Sequence, residues 1–268
     1  MGTEIKTYLV NKSNVLINSR YSLSLNEQRL ILILASLVQP SDEDFKEYEI
    51  RVDDFSEIMG LNEKTKSSYS EMAKLTKELM GKTFEIITEK SKIQVNWLSS
   101  CEYINGSGTV LLEFSPKLKP YLLKLKGNFT SYSLSNILRM KSKYSIRLYE
   151  ILRSNLYKGS YTITIDELRY MLKAEHYSAW GNFKQRIFDD RKPTINKKTG
   201  EKEIHLGAIN EINAKTDIFI DYVPIKEGNK YTKIRFTIKS SAATEAKANN
   251  PLETKEDVKF AIGNGIIG

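Results

Sequence analysis

An α+β chain built from one small module used twice is predicted by three features of the sequence. A twelve-residue pattern recurs: Tyr48 to Met59 reads YEIRVDDFSEIM, and Tyr161 to Leu172, 113 positions later, reads YTITIDELRYML. Each copy is flanked by amphipathic helical runs, and each module ends in strands separated by polar turns. Helix, short strand, helix, turn, helix and β-ribbon is the order of a winged helix, a helix-turn-helix variant whose last helix reads a DNA groove. The predicted architecture is two tandem winged-helix domains related by internal duplication; the alternative is a repeat kept only for packing.

In the first module, Leu30, Ile31, Leu34 and Leu37 recur at helical spacing over Asn26 to Val38. Ile50 and Val52 alternate as in a strand, and Asp53 stands where a helix N-cap is wanted. A second helix is expected over Ser67 to Met80, a hairpin from Thr83–Ile87 and Lys92–Leu98, and a strand over Thr109–Phe114. Ser115 to Lys126, with Pro116 near its first turn, reads as a helical connector between modules. The second module repeats the plan with a helix over Ser142–Leu156, Asp166 at the matching cap position and a helix over Ser178–Asp190. A helix over Ala208–Lys215 and strands at Asp217–Val223 and Thr232–Ile238 complete it. The N-terminal arm, about 1–24, carries the apolar run Val15, Leu16 and Ile17, suited to an edge strand or to packing on the first module. The domains are therefore expected at 1–126 and 127–240, with a flexible tail at 241–268 rich in Ala, Lys, Asn and Glu.

The net charge of +8 divides unevenly. Residues 1–126 hold 17 basic and 17 acidic side chains, residues 127–240 hold 21 and 12, and residues 241–268 hold 3 and 4. The surplus sits in the second module, which suits a polyanion; the neutral first module suits protein contacts. A lone cysteine, Cys101, excludes an internal disulfide, and no apolar stretch is long enough to span a bilayer, so a cytoplasmic location, nucleoid or plasmid associated, is expected.

Catalysis finds little support. His176 and His205 stand 29 positions apart without a second ligand type at useful spacing, and Gly106 and Gly108 lie in a hairpin turn with no phosphate-loop lysine after them. No enzyme activity, catalytic residue, metal or cofactor is expected.

Binding is better supported. Ser142 is a plausible N-cap flanked by Lys141 and Lys143, where the helix dipole disfavours cations unless an anion lies nearby; a DNA phosphate would supply it. In SAWGNFKQRIFDD, Trp180, Phe183, Ile187 and Phe188 fall on one side, leaving Ser178, Asn182, Gln185 and Arg186 outward to read base edges, with Lys184 beside them. The matching helix of the first module offers Lys66, Ser67, Ser68, Lys74 and Lys77 for phosphates. Lys226, Asn229, Lys230 and Lys233 fall where the second wing should be, and Lys90 and Lys92 on the first.

The run LKGNFTSYSLSNILRMKSKYSIRLYEILR, Leu125 to Arg153, followed by Tyr161 to Leu172, Phe183-Lys184, Glu211-Ile212-Asn213 and Thr216-Asp217, resembles the initiator Rep proteins of iteron-bearing, theta-replicating bacterial plasmids. The resemblance spans roughly residues 10–239, with SKYSIRLYE its most specific part. It implies two winged-helix domains and binding to double-stranded DNA, both the directly repeated origin sites and the protein's own operator. It implies further that monomers bind the repeats, help open the origin and recruit the host initiator and replicative helicase. Homodimers held through the N-terminal domain, in equilibrium with monomers, would repress the protein's own gene. A winged-helix transcriptional regulator without origin function is the rival reading. One departure from the family pattern is Arg191 to Gly207, an insert that reads either as an extra basic ribbon near the reading helix or as a solvated loop.

Overall fold

The structure is a computed structural model that describes residues 8–59, 66–196 and 200–241, apart from the side chains of Glu57, Met59, Lys66 and Ser67. The chain divides into two units, the first ending at Leu138. The expected tail lies outside the described residues except for Ser241.

The first unit begins with β1 (Leu9–Ser13) and α1 (Asn14–Asn18), so the apolar run Val15 to Ile17 is helical, with Leu16 and Ile17 buried. A capping box opens α2 (Leu25–Leu37): Ser24 accepts from the Glu27 N–H, and the Glu27 carboxylate accepts the Ser24 N–H at 2.6 Å. Glu27 is fully buried and takes Lys82 Nζ at 2.6 Å, so the cap also ties down the chain 55 residues later. Next come β2 (Tyr48–Arg51), α3 (Val52–Met59), α4 (Lys66–Met80), β3 (Thr83–Ile87), β4 (Lys92–Asn96), β5 (Leu98–Tyr103) and β6 (Thr109–Phe114). The sheet order β2-β6-β5 is antiparallel throughout, while β3 and β4 form a separate hairpin. Between β4 and β5 the chain turns at Trp97, which is buried, stacks on Phe84 at 4.5 Å and meets Tyr21 edge-on at 5.0 Å.

The segment expected to join the modules stays inside this unit. It holds only a 3₁₀ turn at Pro116–Leu118 and α5 (Lys119–Leu122), with Leu118 and Leu122 buried. The positive φ of Lys124 (49°) and Asn128 (47°) is incompatible with a continuing helix. The chain then enters β7 (Phe129–Ser133), which pairs with β1, and α6 (Leu134–Leu138). That pairing moves the division between units from the expected Lys126 to Leu138.

The second unit opens with α7 (Lys143–Arg153), then β8 (Ser160–Thr164), α8 (Ile165–Leu172), α9 (Trp180–Phe183), β9 (Arg191–Ile195), β10 (Lys202–His205), α10 (Ala208–Lys215), β11 (Ile218–Glu227) and β12 (Lys230–Ser240). Its sheet order β11-β12-β8 repeats β5-β6-β2 of the first unit, each with the strand of the repeated sequence at one edge. The aspartates are not the caps. Thr164 caps α8 through a capping box with Glu167, and Asp166 lies in the first turn, paired with Arg169 at 2.8 Å; Asp53 likewise lies in the first turn of α3.

Residues that carry the family resemblance build this scaffold. Asp217 accepts the Tyr149 hydroxyl at 2.7 Å and Arg153 Nε at 3.2 Å, fastening both to the start of β11. Glu211, buried, accepts the Lys141 N–H at 2.7 Å and Lys215 Nζ at 2.7 Å, joining α10 to the approach to α7. The Asn213 amide accepts the Ile220 N–H and donates to the Ile220 carbonyl. Arg147 and Glu150 form a buried pair at 3.0 Å on α7 itself.

Candidate nucleic-acid interface

The helix expected to read bases is shorter than its sequence predicts. It starts at Trp180, α9 ends at Phe183, and a π-helical turn runs over Lys184–Phe188 and closes with the Asp189 N–H on the Lys184 carbonyl at 3.1 Å. A π turn widens the helix by one residue per hydrogen-bonded ring and is frequent at functional sites. Here it lets both Ile187 and Phe188 reach the core with Phe183. Phe188 meets the rings of Phe183 at 5.4 Å, Tyr222 at 5.0 Å and Phe236 at 6.1 Å, which seats the turn on β11 and β12.

With that side anchored, Asn182, Gln185 and Arg186 are exposed together. Ser178, grouped with them on the sequence, is exposed but precedes the helix, in the turn after α8. Trp180 is half-buried and lies 5.8 Å from the Tyr231 ring, so it holds the wing against the helix close to the wing's turn. Lys184 is engaged: Asp189 accepts its Nζ at 2.6 Å, and this hydrogen bond raises the lysine pKa above its ordinary value.

The start of α7 lies beside the turn that feeds this helix. Burial raises the Tyr144 hydroxyl pKa, and a hydrogen bond with Tyr177, one residue before Ser178, raises it further. Ser142 is the N-cap as expected and accepts the Tyr144 N–H at 3.2 Å. Lys141 is exposed, and Lys143 Nζ stands 5.0 Å from the Tyr144 ring centre. Sequence reasoning missed Tyr144 and Tyr177 because nothing in local spacing pairs residues 33 positions apart.

At the wing, the strands run further than predicted, so Lys226 lies on β11 and the turn reduces to Gly228 and Asn229, with Gly228 at φ 61°. Lys230 is exposed; Lys233 pairs with Glu227 at 2.7 Å, an exposed contact of the kind a phosphate readily displaces. Lys226 stacks over Tyr231 at 4.8 Å.

In the first unit Lys74 and Lys77 are exposed on α4. Ser68 is buried and does not face a phosphate, and the side chains of Lys66 and Ser67 lie outside the described residues. Lys90 and Lys92 belong to the β3–β4 hairpin, which joins neither β2 nor β6. The hairpin that matches the second wing by sheet order is β5–β6, whose turn Ile104–Gly108 carries no lysine. Lys92 is also paired with Glu85 at 2.7 Å. Among the described residues no cluster of three or more metal-ligating side chains occurs, and no helix is long and apolar enough to cross a membrane.

Comparison with known proteins agrees with this architecture. The sequence model for the initiator replication protein WH1 domain matches residues 9–153, and that for the initiator Rep protein WH2 domain matches residues 207–238. A replication initiation protein of Escherichia coli is 32% identical over 179 residues, covering 63% of this chain and 55% of that protein. A PI protein of Escherichia coli is 32% identical over 174 residues, covering 60% of this chain and 53% of that protein. The chain thus spans about half the length of these curated relatives. The crystal structure of Pi initiator protein in complex with iteron DNA has the same fold, with a TM-score of 0.63 at 20% identity over 89% of this chain and 99% of that one. With a tandem winged-helix fold and a WH1 match over more than half its length, the chain belongs to the initiator replication protein family.

Proposed function

We propose that this protein is a non-enzymatic initiator of plasmid replication that binds directly repeated origin DNA as a double helix, chiefly through its second unit. The observation that carries this reading is the exposed row Asn182, Gln185 and Arg186, set beside a cationic wing and the lysine-flanked start of α7. Arginine pairs with guanine and asparagine or glutamine with adenine, each worth about 1–3 kcal/mol of discrimination. Lys141, Lys143, Lys230 and Lys233 hold phosphates, with Lys184 joining them once released from Asp189. The exposed lysines of α4, Lys74 and Lys77, make auxiliary contacts. The neutral first module serves homodimerisation. Monomers bind the repeats, help open the origin and engage the host initiator and helicase in the cytoplasm; dimers repress the gene.

Binding by the full chain to the DNA flanking its own gene, against scrambled competitor, tests the core of this reading. Arg186→Ala should relax sequence preference by about 1–3 kcal/mol, whereas Lys143→Ala should weaken every duplex and reduce the salt slope by about one. Equal losses on specific and random DNA for both variants would remove the assigned roles. Regular protections about two helical turns apart in a footprint would give the repeat spacing.

A further inference from the structure

The insert between the reading helix and α10 is a two-stranded ribbon, and its side chains are sorted. Lys202 lies opposite Ile195 and Glu203 opposite Thr194, after which the register shifts so that His205 meets Arg191. The extra residue lies in β9, and such a bulge sharpens the local twist. In β10 the alternation is regular, so Ile195, Lys202 and Ile204 share one face. Glu203 and His205 fall on the other, where Asn196 Nδ2 donates to Glu203 at 2.7 Å and Thr194 Oγ1 lies 2.7 Å from His205 Nε2. Ile195 and Ile204 are 62% and 66% exposed, so two large apolar side chains form a small open patch on one face of the ribbon.

The base of the ribbon is fixed to the reading helix. Asp190, two residues after the π turn, accepts the Gly207 N–H at 2.8 Å and Asn210 Nδ2 at 3.0 Å. Gly207 is pressed against the Phe188 carbonyl, where any Cβ would overlap backbone. A helix seated in a groove therefore carries the ribbon with it at a set angle.

We propose that this ribbon is a minor-groove wedge: Ile195 and Ile204 insert at a base step flanking the site read by Asn182, Gln185 and Arg186, with Arg191, Lys192 and Lys202 on the adjoining phosphates. This inference rests on the duplex-binding reading above. Charge complementarity selects DNA as the occupant: exposed Lys202 shares the isoleucine face, two further exposed basic side chains, Arg191 and Lys192, stand at the ribbon's base, and Glu203 is turned to the opposite face. The apolar character selects the minor groove. Isoleucine reads no donor or acceptor pattern in the major groove, whereas apolar side chains entering from the minor groove unstack a base step and kink the duplex by about 20–90°. Such a kink next to each bound repeat would lower the cost of local strand opening.

The full chain is used to select a duplex from random-sequence DNA, and 2-aminopurine is then placed at successive steps flanking the selected site, with end-to-end energy transfer reporting the bend. The wild type should brighten 2-aminopurine at one flanking step and bend the duplex. The exposed double variant Ile195→Ser with Ile204→Ser should keep the base preference, with affinity within about threefold, and lose both signals. Ile195→Leu with Ile204→Leu should restore them. Arg191→Ala with Lys202→Ala should lower the salt slope by about two. A double-serine variant that brightens and bends the duplex as the wild type does would overturn the wedge while leaving base reading intact. So would loss of cooperative occupancy on tandem sites with the bend unchanged, which would assign the isoleucine face to a neighbouring copy. Selection of no duplex by the wild type would sink both the wedge and the reading beneath it.

Discussion

Replacing Asp217 by alanine tests whether the motif residues of α7 act as scaffold or as surface. The carboxylate accepts the Tyr149 hydroxyl at 2.7 Å and Arg153 Nε at 3.2 Å. A hydrogen bond to a charged group contributes about 1.5–3 kcal/mol, and the loss falls on a tyrosine that is fully buried. The arginine pair is worth less, about 0.5–1 kcal/mol, since its side chains remain 26% and 19% exposed and water can replace part of it. Asp217→Ala should therefore cost about 2–4 kcal/mol, a large share of a typical domain stability of about 5–15 kcal/mol. Tyr149→Phe removes the donor along with its need for an acceptor and should cost about 1 kcal/mol, so a double-mutant cycle should show a coupling of about 1–2 kcal/mol. The two tryptophans provide the assay, because Trp97 lies in the first unit and Trp180 in the second. Urea unfolding followed by fluorescence should show the second-unit transition moving to lower denaturant, with Trp180→Phe identifying which transition that is. A change below about 0.5 kcal/mol, or strict additivity with Tyr149→Phe, would refute the scaffold argument.

Two further outcomes are expected. Gly207→Ala should destabilise the second unit by at least about 1–3 kcal/mol, because the added methyl meets backbone at Phe188 and Asp189, which cannot swing aside; an unchanged urea midpoint would contradict the packing. The Lys233 ammonium holds the Glu227 carboxyl below its ordinary pKa. The pair's contribution is thus present above the ordinary glutamate range and lost as pH falls through the lowered value. Carboxyl NMR should show the Glu227 midpoint returning to the ordinary range in Lys233→Ala, and moving the same way when duplex DNA engages Lys233. A midpoint indifferent to both would show that the pair does not form.

The sequence alone was sufficient wherever periodicity and short-range chemistry decide the outcome. Helices over Asn26–Val38, Ser67–Met80, Ser142–Leu156 and Ala208–Lys215 appear within a few residues of their apolar periods, and the insert forms the hairpin ribbon that was one of its two readings. The exposure of Asn182, Gln185 and Arg186 was also legible, because Phe183, Ile187 and Phe188 could only face inward. The repeated segment was misread at one point. Aspartate is a good N-cap, but Thr164 stands two residues before Asp166, at the end of the strand, and has Glu167 at the spacing that completes a capping box.

The duplicated pattern and the alternation of apolar residues by themselves determined two winged-helix modules, since burying those faces leaves few other arrangements of such short elements. Only the tertiary structure decided which hairpin is the first wing, where the units divide, and which lysines are already paired with acids. It also decided that Asp217 and Glu211 brace α7, that a π turn carries Gln185 and Arg186 outward, and that Asp190 and Gly207 lock the ribbon to that turn. These depend on contacts between residues many positions apart, whose geometry is set by packing against a shared core and leaves no period in the chain.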